Sequence, residues 1–363
     1  MIMCNFIKNI NLMKYSILSL VFFLFAGTIN AQEQPVNIIL MIGDGTGLAQ
    51  ITAGMYANDN KTHLESFNVI GLSKTHSSNA LVTDSAASGT AMACGVKTMN
   101  GVIGIGMDNQ HKESILSLSK EKGYKTGLIA TSSIVHATPA SFYANVVSRK
   151  QYEDIAFQMS ASDKVDYFIG GGKKHFNRRK DNRDLLSEMK GWQFTSSLKA
   201  FDTSTRSKVG YFTNDGEPVR IIEGRKPDLK DGINSMFKKL TAKKSPFFLM
   251  VEGSQIDWGG HANDLRYITT EFKDFDEAIG QAVAFVKENP NTLLIVTADH
   301  ETGGLGISSG NVKNFKPKGG FVTGGHTASM VPVFAMGVGA ESFGGIYENT
   351  AIFDKMLAVL SKN

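Results

Sequence analysis

Short apolar runs alternate with stretches of helical periodicity along most of the chain. Five apolar runs predict strands, at residues 36–42, 126–130, 246–251, 292–297 and 331–336. Helical patterns occur at residues 48–57, 113–122, 232–240, 269–287 and 350–360. The strand runs show little polar alternation, which is typical of parallel strands that are buried on both faces. The pattern predicts an α/β fold around a largely parallel sheet.

The stretch from about residue 167 to residue 227 has weaker periodicity and many Gly, Lys and Asp residues. We interpret it as an insertion at the edge of the sheet and not as a second domain. A length of 363 residues with 42% hydrophobic and 20% charged residues fits one large globular domain or two small ones. We therefore treat residues 32–363 as one domain with an insertion near residues 167–227.

The first 31 residues have the layout of a secretory signal peptide. Lys8 and Lys14 precede an apolar run at residues 15–27, and residues 29–31 then lead into a polar stretch. We expect cleavage there, secretion across the inner membrane, and a periplasmic or extracellular mature protein. A retained anchor is the alternative, but the apolar run is shorter than the about 18 residues that a spanning helix needs. No stable membrane anchor is expected.

Charge and cysteine content exclude several classes of protein. Removing Lys8 and Lys14 with the signal peptide lowers the formal charge from +4 to +2, which indicates no particular partner. The densest basic stretch, residues 173–180, is soon interrupted by Asp181, so we expect a solvated face and no nucleic-acid partner. Only Cys94 remains in the mature chain, which excludes an intrachain disulfide and a cysteine-rich zinc site.

Acidic and imidazole side chains follow three of the predicted strands directly. Asp44 follows residues 36–42, Glu252 follows residues 246–251, and Asp299 and His300 follow residues 292–297. Open α/β sheets bind ligands in the crevice at the carboxyl ends of their strands, so these side chains are expected to meet. Carboxylate oxygens and imidazole nitrogens together suit zinc or a similar divalent ion.

Three further positions fit the same site, although each has an ordinary structural alternative. Asp257 and His261 are four residues apart and can share one side of a turn; otherwise they are a helix N-cap and a surface histidine. His326 is preceded by two glycines, which permit close approach to a ligand, but it also fits an ordinary loop. Asp44 and Asp299 could instead cap a helix and a turn.

Ser85 is the candidate nucleophile. The small residues of segment 82–91 predict a helix that begins at or beside Ser85, where unpaired N–H groups favour an alkoxide or a phosphoryl group. The alternative is an N-cap, by Ser85 or Asp84, on an alanine-rich helix. No histidine lies nearby in the sequence, so a catalytic triad is not indicated, and a metal would have to lower the pKa of the hydroxyl.

Segment 136–150 adds an imidazole, a hydroxyl and a guanidinium, from His136, Thr138 and Arg149. The planar fork of Arg149 could contact two phosphate oxygens at once. Taken alone, Arg149 fits an ordinary surface arginine better than a phosphate-binding residue.

Taken together and in this order, the motifs resemble those of alkaline phosphatases, from Asn37 to about Gly339. The resemblance implies a three-layer sandwich with a central, mostly parallel sheet between helices, and a site with two zinc ions and a third metal, usually magnesium. It implies one zinc on Asp257, His261 and His326, a second on Asp44, Asp299 and His300 beside Ser85, the third metal on Asp44, Thr138 and Glu252, and phosphate on Arg149.

The activity that this resemblance implies is hydrolysis of small-molecule phosphate monoesters to an alcohol and inorganic phosphate. Ser85 would attack phosphorus in line, and water would hydrolyse the resulting phosphoserine. A phosphodiesterase or a sulfatase is the nearest alternative, but Thr138, Glu252 and Arg149 favour the monoesterase. An exported metal-binding or phosphate-scavenging protein without turnover is another, and retention of Ser85 argues against it.

Two departures from the family pattern affect these expectations. Some members carry Asp and Lys at the positions of His136 and Trp258, beside the third metal and the phosphate. We therefore expect zinc or cobalt to compete with magnesium there. Only residues 305–325 separate the motif at His300 from His326, so no large crown insertion is expected, and both a monomer and a homodimer stay open.

Overall fold

Ten strands form one central sheet in this computed structural model, which describes residues 35–361. The predicted signal peptide lies outside the described residues. The described residues contain fourteen strands, β1 (Asn37–Gly43), β2 (Val69–Lys74), β3 (Lys125–Ser133), β4 (Tyr167–Gly171), β5 (Trp192–Thr195), β6 (Lys208–Phe212), β7 (Phe247–Gly253), β8 (Thr292–Thr297), β9 (Glu301–Thr302), β10 (Gly306–Asn311), β11 (Lys316–Gly320), β12 (His326–Thr327), β13 (Val331–Gly337) and β14 (Gly345–Glu348). Four of them form two separate pairs, β9 with β12 and β10 with β11. The order in the sheet is β14-β2-β13-β8-β1-β7-β3-β4-β6-β5.

Helices cover both faces of the sheet. The α-helices are α1 (Leu48–Ala57), α2 (Ser85–Cys94), α3 (Ile115–Glu121), α4 (Ala137–Ala140), α5 (Tyr152–Ala161), α6 (Lys174–Asn177), α7 (Leu185–Glu188), α8 (Leu198–Thr203), α9 (Leu229–Thr241), α10 (Gln255–His261), α11 (Leu265–Glu288) and α12 (Thr350–Ser361). Short 3-10 helices occur at His63–Ser66, Ile221–Glu223 and Ala340–Phe343. Within the described residues, no helix is both long and apolar enough to cross a membrane.

The central strands are apolar throughout because their side chains pack into hydrophobic cores on both faces of the sheet. In β1, Ile38 and Leu40 pack into one buried cluster, whereas Ile39 and Met41 pack into the cluster on the opposite face. Successive side chains of a strand point to opposite faces, so burial on both sides requires a continuous apolar run. The prediction of a mostly parallel sheet between helices is confirmed.

Strand β13 is the exception in direction, since it runs antiparallel to both β8 and β2. Its first residue, Val331, therefore lies at the edge where the parallel strands end. His326 precedes this strand, whereas the other predicted site residues follow theirs. The reversed direction of β13 brings His326 to the same edge as the others.

Residues 167–227 contain β4, β6 and β5, which continue the same sheet beyond β3. The basic stretch of this segment is not wholly solvated, contrary to expectation. Arg179 is buried, its Nη2 lies 2.6 Å from Asp181 Oδ2, and its Nη1 donates to the carbonyl of Glu153 at 2.6 Å. Residues 306–320 form the β10–β11 hairpin in place of a larger insertion.

Candidate active site

Three groups of side chains at the carboxyl edge of the sheet could each hold a metal ion. Within each group the ligand atoms lie within 4.8 Å of one another. The first cluster is Asp257, His261 and His326; the second is Asp44, Asp299 and His300; the third is Asp44, His136 and Glu252.

The first cluster is formed by α10, which begins two residues after β7, and by β12. Asp257 and His261 lie one helical turn apart, with His261 Nε2 3.4 Å from Asp257 Oδ2. The two Nε2 atoms of His261 and His326 are 3.2 Å apart. The Nδ1 atoms point away, toward the carbonyls of Gly324 at 2.7 Å and Thr83 at 2.8 Å. If both Nδ1 atoms donate to these carbonyls, the lone pairs of both Nε2 atoms face Asp257.

The second cluster combines the end of β1 with the loop between β8 and β9. His300 Nε2 lies 3.1 Å from Asp299 Oδ2 and 3.5 Å from Asp44 Oδ1, and all three side chains are fully buried. The backbone N–H of Gly45 donates to Asp299 Oδ1 at 3.1 Å, which orients that carboxylate. Asp44 is not a helix cap, because the N-cap of α1 is Gly47.

Ser85 is the first residue of α2, as the sequence predicted, and it faces the second cluster. Asp84 is the N-cap and accepts a hydrogen bond from the N–H of Ala87 at 3.0 Å. The Oγ of Ser85 lies 3.3 Å from His300 Nε2. Because Asp84 serves as the cap, the hydroxyl of Ser85 is free to face the metal-ligating groups.

The third cluster places His136 closer to the site than expected. From the sequence, His136 was expected beside the third metal and not among its ligands, whereas one of its ring nitrogens lies among the candidate ligand atoms of Asp44 and Glu252. Burial lowers the pKa of His136 to about 3, which favours the neutral, ligating form. The ring of Trp258 packs edge-to-face on His136 at 6.2 Å. Thr138 lies beside Glu252, whose pKa burial raises to about 7.

Arg149 reaches the site from the loop that follows α4. Its Nη1 donates to Asp84 Oδ2 at 3.0 Å, and its Nη2 lies 3.4 Å from His136 Nε2. The Arg149 side chain is 22% exposed, so part of the guanidinium is open to solvent. Although burial opposes the charged form, the carboxylate of Asp84 raises the pKa of Arg149 above its usual value. A guanidinium that is held by Asp84 and partly exposed to solvent is suited to bind a phosphate group.

Buried oxygens that make no hydrogen bond indicate that this edge of the sheet accommodates cations. Both carboxylate oxygens of Asp44, one oxygen each of Glu252 and Asp299, and the hydroxyl of Thr138 are buried and accept or donate no hydrogen bond within residues 35–361. Burial, followed by the neighbouring Asp299 and Asp257, raises the pKa of Asp44 well above its usual value. Buried carboxylate oxygens that accept no hydrogen bond are costly unless metals neutralise them, so the donor set fits divalent cations.

Several residues that hold the site in place were not identified from the sequence. Asp84 was considered only as a cap, but it also contacts Arg149. Ser132 and Ser254 direct their hydroxyls at Glu252 Oε2, at 3.3 and 2.6 Å. The positions of the two serines in the sequence could have indicated their role, because Ser132 lies near the end of β3 and Ser254 directly follows β7. The carbonyls of Thr83 and Gly324 gave no such indication, since every residue carries a carbonyl.

Comparison with known proteins agrees with this geometry. A family model described as alkaline phosphatase matches residues 36–318. Alkaline phosphatase 3 of Bacillus subtilis is 33% identical over 420 residues, covering 92% of this chain and 90% of that protein. The repressible alkaline phosphatase of Saccharomyces cerevisiae is 35% identical, and the aligned region covers 76% of this chain but only 56% of the yeast protein.

Solved structures include the alkaline phosphatase of the Antarctic bacterium TAB5, which is 42% identical, with a TM-score of 0.86 over 91% of this chain and 100% of that one. A variant of the TAB5 enzyme with a histidine replaced by aspartate holds magnesium in its M3 site, and its TM-score is 0.85 at 42% identity over 91% of this chain and 99% of that one. The match to the family model, the shared fold and the gathered motifs lead to one conclusion: this chain belongs to the alkaline phosphatase family of phosphoric monoester hydrolases.

Proposed function

We propose that this chain hydrolyses phosphate monoesters through a phosphoserine at Ser85, with two zinc ions and a third metal held by the three clusters. The observation that carries the proposal is the position of the Ser85 hydroxyl. It lies 3.3 Å from His300 Nε2, in the cluster where both oxygens of Asp44 are buried and accept no hydrogen bond within residues 35–361. A hydroxyl beside such a cation-binding group is placed to act as a nucleophile.

The ligand assignments follow the clusters. Asp257, His261 and His326 would hold the first zinc. Asp44, Asp299 and His300 would hold the second, and Ser85 would join them. Asp44, Glu252 and Thr138 would hold the third metal, with His136 as an additional ligand. Bound there, the metals would neutralise the phosphate dianion, lower the pKa of Ser85 and of water, and stabilise the leaving oxygen.

The protein's own groups position and stabilise the reacting phosphate. Arg149 donates one hydrogen bond from Nη1 to Asp84, and its remaining N–H groups can bind two phosphate oxygens. Ser85 Oγ would attack phosphorus in line and release the alcohol. The phosphoryl group would then lie at the N-terminus of the ten-residue helix α2, where free N–H groups and the helix dipole favour negative charge. Attack by water would free Ser85 and yield inorganic phosphate.

The identity of the third metal is proposed from the chemistry of its ligands. Imidazole suits zinc or cobalt better than magnesium, which prefers oxygen ligands. His136 thus favours zinc or cobalt, whereas Asp44, Glu252 and Thr138 remain compatible with magnesium. The TAB5 variant that exchanges histidine for aspartate and holds magnesium supports this reasoning, on the proposal that its histidine corresponds to His136.

The test combines metal analysis with turnover. Purified protein should contain about three divalent metals per chain, hydrolyse a nitrophenyl phosphate monoester, lose activity on chelation, and regain it with zinc. Activity that survives complete removal of metal would contradict the proposal. A diester assayed beside the monoester distinguishes the alternative, since faster diester hydrolysis would assign a phosphodiesterase.

We also propose export, on the basis of the lysines that precede the apolar run at residues 15–27 and the polar stretch that follows Ala31. The mature protein would then begin near residue 32. The N-terminal sequence of protein from the periplasm or the culture medium tests this. An intact N-terminus on protein recovered only from the cytoplasm would contradict it.

A further inference from the structure

Thr302 belongs to none of the three clusters, yet its hydroxyl contacts two of them. Thr302 is the second residue of β9 and is fully buried. Its Oγ1 donates to Asp257 Oδ1 at 2.5 Å and lies 3.2 Å from His300 Nδ1. Asp257 belongs to the first cluster and His300 to the second, so a single oxygen connects both proposed zinc sites.

The two contacts of the Thr302 hydroxyl indicate where the hydrogens of Thr302 and His300 lie. A threonine hydroxyl has one hydrogen and two lone pairs. Asp257 as a carboxylate can only accept, so the hydroxyl hydrogen points to Asp257. A lone pair then accepts the N–H at His300 Nδ1. This selects the His300 tautomer whose Nε2 is unprotonated and faces Asp44 and Asp299.

Packing holds the hydroxyl in this orientation. The N–H of Thr302 donates to the carbonyl of Gly45 at 3.1 Å, and its own carbonyl accepts from Gln50 Nε2 at 2.8 Å. A Cβ on Gly45 would come within 2.8 Å of Thr302 Oγ1, and a Cβ on Gly260 within 2.8 Å of Thr302 Cγ2. The backbone is therefore fixed at both ends, and only glycines permit the close approach on each side of the side chain.

We propose that Thr302 is a positioning residue that orients Asp257 and His300 together and so couples the two zinc sites. This inference rests on the proposed function, because it takes both clusters to bind metal. Loss of the hydroxyl would leave a carboxylate oxygen and a ring N–H buried without partners, and both ligands would be free to turn. Partners of metal ligands commonly affect metal affinity by about 10- to 100-fold.

The test compares zinc affinity among three variants by competition with a chelating dye. Thr302→Val keeps the branched shape but removes the hydroxyl, and Thr302→Ser keeps the hydroxyl. Thr126→Val is the matched control, since the hydroxyl of the buried Thr126 also contacts acceptors, Lys164 O and Asp166 Oδ2, and accepts one hydrogen bond. Thr126 lies near the start of β3, at the end of that strand away from the three clusters. We expect zinc binding to weaken about 10- to 100-fold in Thr302→Val, at both sites together, and to stay near wild type in the other two.

Several results would overturn the inference. These are wild-type zinc affinity in Thr302→Val, weakening of one site alone, or equal weakening in Thr126→Val. If Thr302→Val does not fold, Thr302→Ser decides the question, because weak binding in a variant that keeps the hydroxyl contradicts the role of Thr302. A wild-type chain that binds no zinc would instead contradict the proposed function.

Discussion

Replacement of Arg149 by lysine tests how the phosphate is held. In the structure, Nη1 of Arg149 donates to Asp84 Oδ2 at 3.0 Å, and the side chain remains 22% exposed toward solvent. Arginine can contact Asp84 and a phosphate oxygen at the same time because its donors form a planar fork. The single ammonium of lysine can keep only one of these contacts in good geometry.

The expected magnitude follows from the loss of one hydrogen bond to a charged group. Such a bond contributes about 1.5–3 kcal/mol, which corresponds to a fall in kcat/KM of about 10- to 150-fold. Arg149 would contact the phosphate before and during the reaction. We therefore expect KM and the inhibition constant for inorganic phosphate to rise in parallel in Arg149→Lys, with a smaller change in kcat.

The assay is steady-state hydrolysis of a nitrophenyl phosphate with inorganic phosphate as inhibitor. Arg179→Lys is the control, since Arg179 also pairs with an aspartate, Asp181, but lies in residues 167–227 and outside the three clusters. It should keep wild-type kcat/KM. An Arg149→Lys enzyme within twofold of wild type in kcat/KM, or with unchanged inhibition by phosphate, would refute the assignment.

Three further predictions concern the nucleophile, the third metal and the metal-free protein. Ser85→Ala should lose nearly all turnover while zinc content stays at the wild-type value by metal analysis; wild-type rates would refute the nucleophile. His136→Asp should raise magnesium occupancy after dialysis against mixed zinc and magnesium, because magnesium prefers oxygen ligands, and unchanged occupancy would contradict His136 as a ligand. In metal-free protein, hydrogen bonding to Asp257 raises the pKa of His261 from 6.5 to about 9. The resulting stability is complete below pH 6.5 and is lost as pH rises through about 9, so Tm should fall over this range. His261→Gln should reduce that fall, and an identical pH profile would count against the pair.

Long, strongly apolar segments were the predictable part of the fold. The runs at residues 36–42 and 292–297 correspond closely to β1 and β8, because strands buried on both faces must be continuously apolar. β2 and β14 were missed, since they lie toward one edge of the sheet and carry exposed positions such as Ile70 and Ile346. The antiparallel direction of β13 could not be predicted from the sequence either, because strand direction depends on tertiary pairing.

The candidate ligands were predictable because each lies next to a strand end or to glycines, as Asp44, Glu252 and Asp299 do. The grouping of these residues around individual ions came only from the resemblance to alkaline phosphatases, and neither that resemblance nor the residue pattern placed His136 among the candidate ligands. Thr302 was missed for a related reason. A threonine in a two-residue strand has no distinctive pattern, and its significance comes only from the contacts with Asp257 and His300 that folding creates.

Trapping the covalent intermediate tests the central claim most directly. Metal-loaded protein is mixed with a phosphate monoester, quenched in acid during turnover, digested and mapped by mass spectrometry. We expect a phosphorylated peptide with the phosphoryl group on Ser85, and no such peptide from chelated protein or from Ser85→Ala. Phosphate on another side chain, or full turnover with no phosphorylated peptide at any quench time, would contradict it.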